Sequence, residues 1–155
     1  MLKKIILFIV ALIVLLLIIA ALLPAEYRVE RSITINAPVE KVFEQVVDLN
    51  NYVKWNPWSD QDPEAKSKIS ENSRGVGSVW LWDGAVIGKG ELSIVKLDEG
   101  RSIETRVEFF EPMARTSSGF WKFEGINNSI NVRWAFKGSL SYPVERYMGF
   151  FIDDM

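Results

Sequence analysis

The chain has 155 residues, room for one domain, with 48% hydrophobic side chains, no Cys and no His. Disulfide staples, zinc fingers, Cys or Ser-His nucleophile systems and imidazole acid/base chemistry are thereby excluded. The formal net charge is −2, and Lys3 and Lys4 are the only charges before Glu26, so the remainder carries −4 and lacks the concentrated basic surface that a nucleic acid requires.

From Ile5 to Leu23 the sequence IILFIVALIVLLLIIAALL has no charged or polar side chain. As a helix it reaches about 28 Å, close to the hydrocarbon thickness of a bilayer. A cleaved signal peptide is the competing reading. It is disfavoured because signal peptides carry apolar stretches of about 7–15 residues followed by small side chains, and here Leu22 and Leu23 hold that place. Residues 1–25 are therefore assigned to an uncleaved transmembrane anchor, expected to stand free of the domain at 26–155. Lys3, Lys4 and the terminal amine favour a cytoplasmic N-terminus, which puts the domain of this single-pass protein outside the cytoplasm.

Tyr27–Ile35 alternates Tyr27, Val29, Ile33 and Ile35 against Arg28, Glu30, Ser32 and Thr34, which predicts a strand with one buried face. Asn36-Ala37-Pro38 then opens a helix, because a Pro in the first turn gives up an N–H that would be unpaired there. Val39, Val42, Phe43, Val46 and Val47 give it one apolar stripe. A short helix around Leu49–Lys54 is expected next, then a turn at Trp55-Asn56-Pro57-Trp58. Beyond Pro63 the period falls from 3.6 to 2. Strands are predicted at Ala65–Ser70, Ser78–Asp83, Lys89–Lys96, Ser102–Phe110, Thr116–Glu124 and Ser129–Lys137, joined by turns such as Asp83-Gly84, Asp98-Glu99-Gly100 and Gly125-Ile126-Asn127-Asn128. Pro143 opens a last helix.

A strand, two helices, six strands and a helix make an α+β domain. It resembles the SRPBCC (START-like, helix-grip) superfamily, and within it the branch of polyketide cyclases/dehydrases and lipid transport proteins. The segments that carry the likeness are ERSITINAPVEKVFEQVVDLNNYVKWNPW (30–58), GVGSVWLWDG (75–84), GKGELSI (88–94), EFFEPM (108–113) and VRWAFKG (132–138). The resemblance implies a curved antiparallel sheet of about seven strands wrapped around a C-terminal helix. Here that helix has only about 14 residues, Tyr142–Met155, and ends on two acids that oppose its dipole, so the chain reads as a truncated form.

On one parity of the strands lie Trp80 and Trp82, Leu92 and Ile94, Ile103, Val107 and Phe109, Gly119, Trp121 and Phe123, then Val132, Trp134 and Phe136. In the fold that the resemblance implies, these line the concave face. They are read either as the wall of an apolar ligand cavity or as a filled core. The candidate ligand-binding residues are Trp80, Trp82, Leu92, Ile94, Phe109, Trp121, Phe123, Trp134 and Phe136, with Trp55 and Trp58 at the pocket mouth or stapling their loop to the core. Glu104, Arg106 and Glu108, on the opposite parity, are expected to face solvent as an ion-pair ladder.

No nucleophile motif, phosphate-binding Gly loop or metal-ligand spacing occurs, so no catalytic residue, cofactor or metal is expected. The leading expectation is a membrane-anchored domain that binds or transports a hydrophobic small molecule or lipid. The alternatives are an enzyme acting on such a polyketide-like ligand, and an interaction module with a vestigial pocket.

Overall fold

The computed structural model of the chain describes residues 1–126 and 129–152. In chain order the elements are α1 (Leu2–Leu22), β1 (Glu26–Ile35), α2 (Val39–Val47), α3 (Leu49–Tyr52), α4 (Pro57–Gln61), β2 (Lys66–Ile69), β3 (Val79–Gly84), β4 (Gly88–Asp98), β5 (Ser102–Glu111), β6 (Arg115–Ile126), β7 (Ser129–Ser139) and α5 (Val144–Ile152). The Asn127-Asn128 part of the last predicted turn and the acidic ending Asp153-Asp154 lie outside the described residues. The chain divides into two compact units, Met1–Val29 with Gly138–Met155, and Glu30–Lys137.

In the first unit, α1 is one unbroken helix whose large apolar side chains are exposed on every side. It is long and apolar enough to cross a membrane. It does not stand wholly free, contrary to expectation. The Tyr142 hydroxyl donates to the Leu17 carbonyl at 3.1 Å, the Tyr147 hydroxyl donates to the Leu16 carbonyl, and Ala20 is fully buried. The physical reason is that the tyrosine hydroxyls of α5 and of the residues just before it lie alongside the last turns of α1, where a backbone carbonyl already bonded within the helix keeps a second lone pair for another donor.

In the second unit the sheet has seven antiparallel strands in the order β1-β7-β6-β5-β4-β3-β2. Irregularities in β4 between Lys89 and Gly90 and between Ile94 and Lys96 help to curve it. The apolar stripe of α2 supplies Phe43, Val46 and Val47 to a core shared with Leu49, Ile94, Ile103, Phe123 and Ile130. Phe43 meets Phe123 edge-on at 5.1 Å, which seats α2 on β6. Arg74 holds Glu44 of α2 and Glu99 of the β4–β5 turn together. Hydrogen bonds to those two carboxylates raise its guanidinium pKa above the ordinary value, yet the group is about two-fifths exposed and adds little stability.

Two local expectations need correction. Ile33 is 62% exposed, because this side chain of edge strand β1 stays in solvent. Trp55-Asn56-Pro57-Trp58 is not a plain turn. Asn56 caps the short helix α4, and Pro57 occupies its first turn.

Candidate functional site

The site begins with strand parity. Trp80 pairs with Leu92 across β3 and β4, Leu92 with Val107 across β4 and β5, and Thr105 with Gly119 across β5 and β6. Directly opposed residues share a face, so these side chains converge on the inner face of the sheet. There they enclose a cavity of about 30 Å³ lined by Tyr52, Trp58, Trp80, Trp82, Leu92, Thr105, Val107, Phe109, Gly119, Trp121, Trp134 and Phe136. That volume holds about two waters. A second hollow of about 180 Å³ shares Trp80 and Trp82 as its wall.

Aromatic rings make up most of the lining and touch one another in sequence. Trp58 meets Phe136 at 6.5 Å, Phe136 stacks on Trp134 at 5.9 Å, and Trp134 meets Trp121 at 6.2 Å. Trp121 meets Tyr52 at 6.4 Å, Tyr52 meets Trp80 at 6.1 Å, Trp80 meets Trp82 at 4.9 Å, and Trp82 meets Phe109 at 5.9 Å. Trp55 joins this chain through Tyr52 and Trp121, so all six tryptophans of the protein belong to one run of ring contacts. Close strand crossings make room for it. A Cβ on Gly90 would collide with the Trp82 ring and the Glu108 carbonyl, and one on Gly119 would collide with the Thr105 hydroxyl.

The loop before α4 positions two of these rings. Asn56 is fully buried; its amide donates to the Tyr52 carbonyl at 3.1 Å and to the Ser59 hydroxyl at 2.9 Å, and its carbonyl accepts from Ser59 N–H. This clamp fixes Trp55 on one side and Trp58 on the other. Trp55 is 41% exposed and donates its indole N–H to the Gln45 carbonyl at 2.9 Å, so it ties the loop to α2 and does not line the cavity. Trp58 does line it.

Polar groups are few. Trp80 donates to the Ser67 hydroxyl at 2.7 Å. Tyr52 is 5% exposed, and no described residue hydrogen-bonds its hydroxyl. Burial pushes its pKa well above the ordinary value, so it stays protonated as a donor. Among the described residues it is the one titratable group lining the cavity.

Of the residues singled out in the sequence, Trp58, Trp80, Trp82, Leu92, Phe109, Trp121, Trp134 and Phe136 meet around the cavity. Ile94 and Phe123 are buried in the core next to it and do not line it. Tyr52 and Thr105 were not among the candidates. Thr105 carried a legible signal, a polar residue on the inward parity between Ile103 and Val107. Tyr52 follows buried Leu49 by three residues, a helical repeat too short to read from sequence. Glu104, Arg106 and Glu108 lie on the opposite parity, with Arg106 pairing Glu108 at 2.6 Å. Glu104 pairs instead with Lys96 at 3.0 Å, because β4 runs beside it.

The profile of the family described as polyketide cyclase / dehydrase and lipid transport matches residues 26–151. The chain belongs to that family. No curated protein matches the chain in sequence. Among solved structures, Ara h 8.0201 is 17% identical over 81% of this chain and 88% of its own, with a TM-score of 0.56. The major latex-like protein 151 of Panax ginseng is 15% identical over 83% and 92%, with a TM-score of 0.54. Aha1 of Colwellia psychrerythraea is 20% identical over 81% and 84%, with a TM-score of 0.52. At such identities the shared feature is the fold, and it is the helix-grip fold expected from the sequence. One scaffold serves many activities, so the chemistry of this chain rests on its own residues.

Proposed function

We propose that this family member is a membrane-anchored binding or transport domain for an apolar small molecule or lipid that carries a hydrogen-bond acceptor. The observation behind this reading is the continuous wall of aromatic rings around a cavity lined by two buried hydroxyl-bearing residues, Tyr52 and Thr105. Flat rings suit aliphatic or ring-shaped ligands, and a hydroxyl donor without a protein partner, that of Tyr52, fixes orientation by exacting a desolvation cost from ligands that lack an acceptor. At about 30 Å³ the cavity is far below the roughly 300–1,000 Å³ of pockets that hold drug-sized ligands. Binding therefore requires the rings at the cavity edge to move apart, with Trp58, Trp134 and Phe136 the half-buried candidates. Residues 5–23 serve as the anchor in this reading, with the domain outside the cytoplasm.

The small volume favours a second reading, in which the rings simply fill the core and the domain works by docking a membrane partner. Titration of the full chain in mild detergent separates the two. Binding of a long-chain fatty acid or a polycyclic ketone is expected to quench tryptophan emission saturably, and Trp121→Ala is expected to weaken it. No saturable response to either probe, with no small molecule retained in native mass spectrometry, would defeat the binding reading. The topology is checked by protease access in intact cells, where cleavage of the domain from outside is expected.

A further inference from the structure

We propose a second ligand site, independent of the aromatic cavity, in which Arg146 binds the phosphate of an anionic membrane lipid at the C-terminal end of α1. It rests on reading α1 as a membrane span.

A groove of about 370 Å³ opens there, lined by Leu23, Pro24, Tyr27, Leu140, Arg146 and Phe150 among others. An apolar helix of this length places its end at the boundary between hydrocarbon and headgroups, so the groove sits at headgroup depth. Tyr142 and Tyr147, aromatic side chains of the kind enriched at that depth, hydrogen-bond to the neighbouring turns of α1.

Arg146 is held in a specific way. Its Nη1 donates to the carbonyls of Ala20, Ala21 and Leu23, each at 3.3 Å, and its guanidinium lies 5.6 Å from the centre of the Tyr142 ring. These contacts use one corner of the fork. The Nε atom is buried and has no partner, and among the described residues no carboxylate pairs with Arg146. Glu26 and Arg28, which also line the groove, offset each other in charge. The uncompensated charge is therefore that of Arg146. Its Nη2 makes no hydrogen bond among the described residues, and it is the donor of the fork left for a phosphate oxygen, with Nε buried behind it. The apolar walls, Leu23, Pro24, Leu140 and Phe150, suit the first carbons of the acyl chains.

The test uses the full chain in nanodiscs of phosphatidylcholine containing one-fifth phosphatidylglycerol, followed by mild detergent stripping and native mass spectrometry. The wild type is expected to retain one phosphatidylglycerol. Arg146→Gln is expected to retain at least about tenfold less, while Arg146→Lys keeps a substantial share and the exposed-site control Arg101→Gln matches the wild type. Equal retention by wild type and Arg146→Gln would overturn the proposal, as would no retention by the wild type. Loss in Arg146→Lys equal to that in Arg146→Gln would show that Arg146 merely caps α1, and would also overturn it. Displacement of the lipid by millimolar glycerol phosphate would assign the site to a soluble phosphate ester and overturn the lipid source. Co-flotation with pure phosphatidylcholine vesicles tests the span separately, and failure to float would overturn both readings.

Discussion

Tyr52→Phe removes one oxygen from the wall of the aromatic cavity and leaves the ring contacts to Trp55, Trp80 and Trp121 in place. At pH 7 a hydroxyl with a protein partner would cost about 0.5–1.5 kcal/mol to remove, whereas one whose burial is uncompensated costs nothing and its loss can stabilise slightly. With no partner for Tyr52 among the described residues, the expected change is between zero and about 1 kcal/mol of added stability. The alkaline range gives an independent measure. Burial raises the Tyr52 pKa in the folded state above its ordinary value of about 10. Above pH 10 the unfolded chain therefore releases a proton that the folded chain keeps. The stabilising effect is fully present below pH 10 and is lost as pH rises, at about 1.4 kcal/mol per unit from this one group. Other tyrosines and lysines also titrate there, so the informative quantity is the difference between wild type and variant. Urea unfolding of the full chain in mild detergent, followed by tryptophan emission at pH 7, 10 and 11, is expected to show the wild type losing about 1.0 kcal/mol more than Tyr52→Phe between the last two. Parallel pH profiles, or a loss above about 1.5 kcal/mol in the variant at pH 7, would refute the placement of a neutral, unpartnered hydroxyl in the cavity.

Gly90→Ala is expected to lower stability by about 1–3 kcal/mol and shift tryptophan emission, because the new methyl meets the Trp82 ring and a fixed backbone carbonyl; an unchanged melting curve would contradict it. Asn56→Ala is expected to cost about 1–2 kcal/mol through loss of the α4 cap, and to increase quenching of Trp55 and Trp58 by acrylamide. Trp134→Ala removes a half-buried ring stacked on Phe136, and should cost less than the roughly 3–5 kcal/mol of a fully buried tryptophan while enlarging the cavity. A loss in the full range, with no gain in uptake of an apolar dye, would mark Trp134 as core.

Much was legible in the sequence because it is a matter of period. Nineteen apolar residues in a row make a membrane-length helix whatever surrounds them, and the stripe from Val39 to Val47 fixes which face of α2 is buried. Alternation in β3 to β7 placed Trp80, Trp82, Trp121 and Trp134 on one face, since a one-residue slip would invert every one of them. Tertiary structure alone decided the rest. Whether inward side chains enclose space or fill it depends on strand curvature and on ring angles, so Ile94 and Phe123 became core while Trp82 and Phe109 line the cavity. Tyr52 gained its position from a helix of four residues, too short to show a period, and Trp55 lost its place in the lining to a hydrogen bond with Gln45, ten residues away in sequence. Arg146 carried no signal at all in the sequence. Its contacts are with the carbonyls of Ala20, Ala21 and Leu23, more than a hundred residues earlier, and pairing over such a separation is set by packing and not by any local pattern.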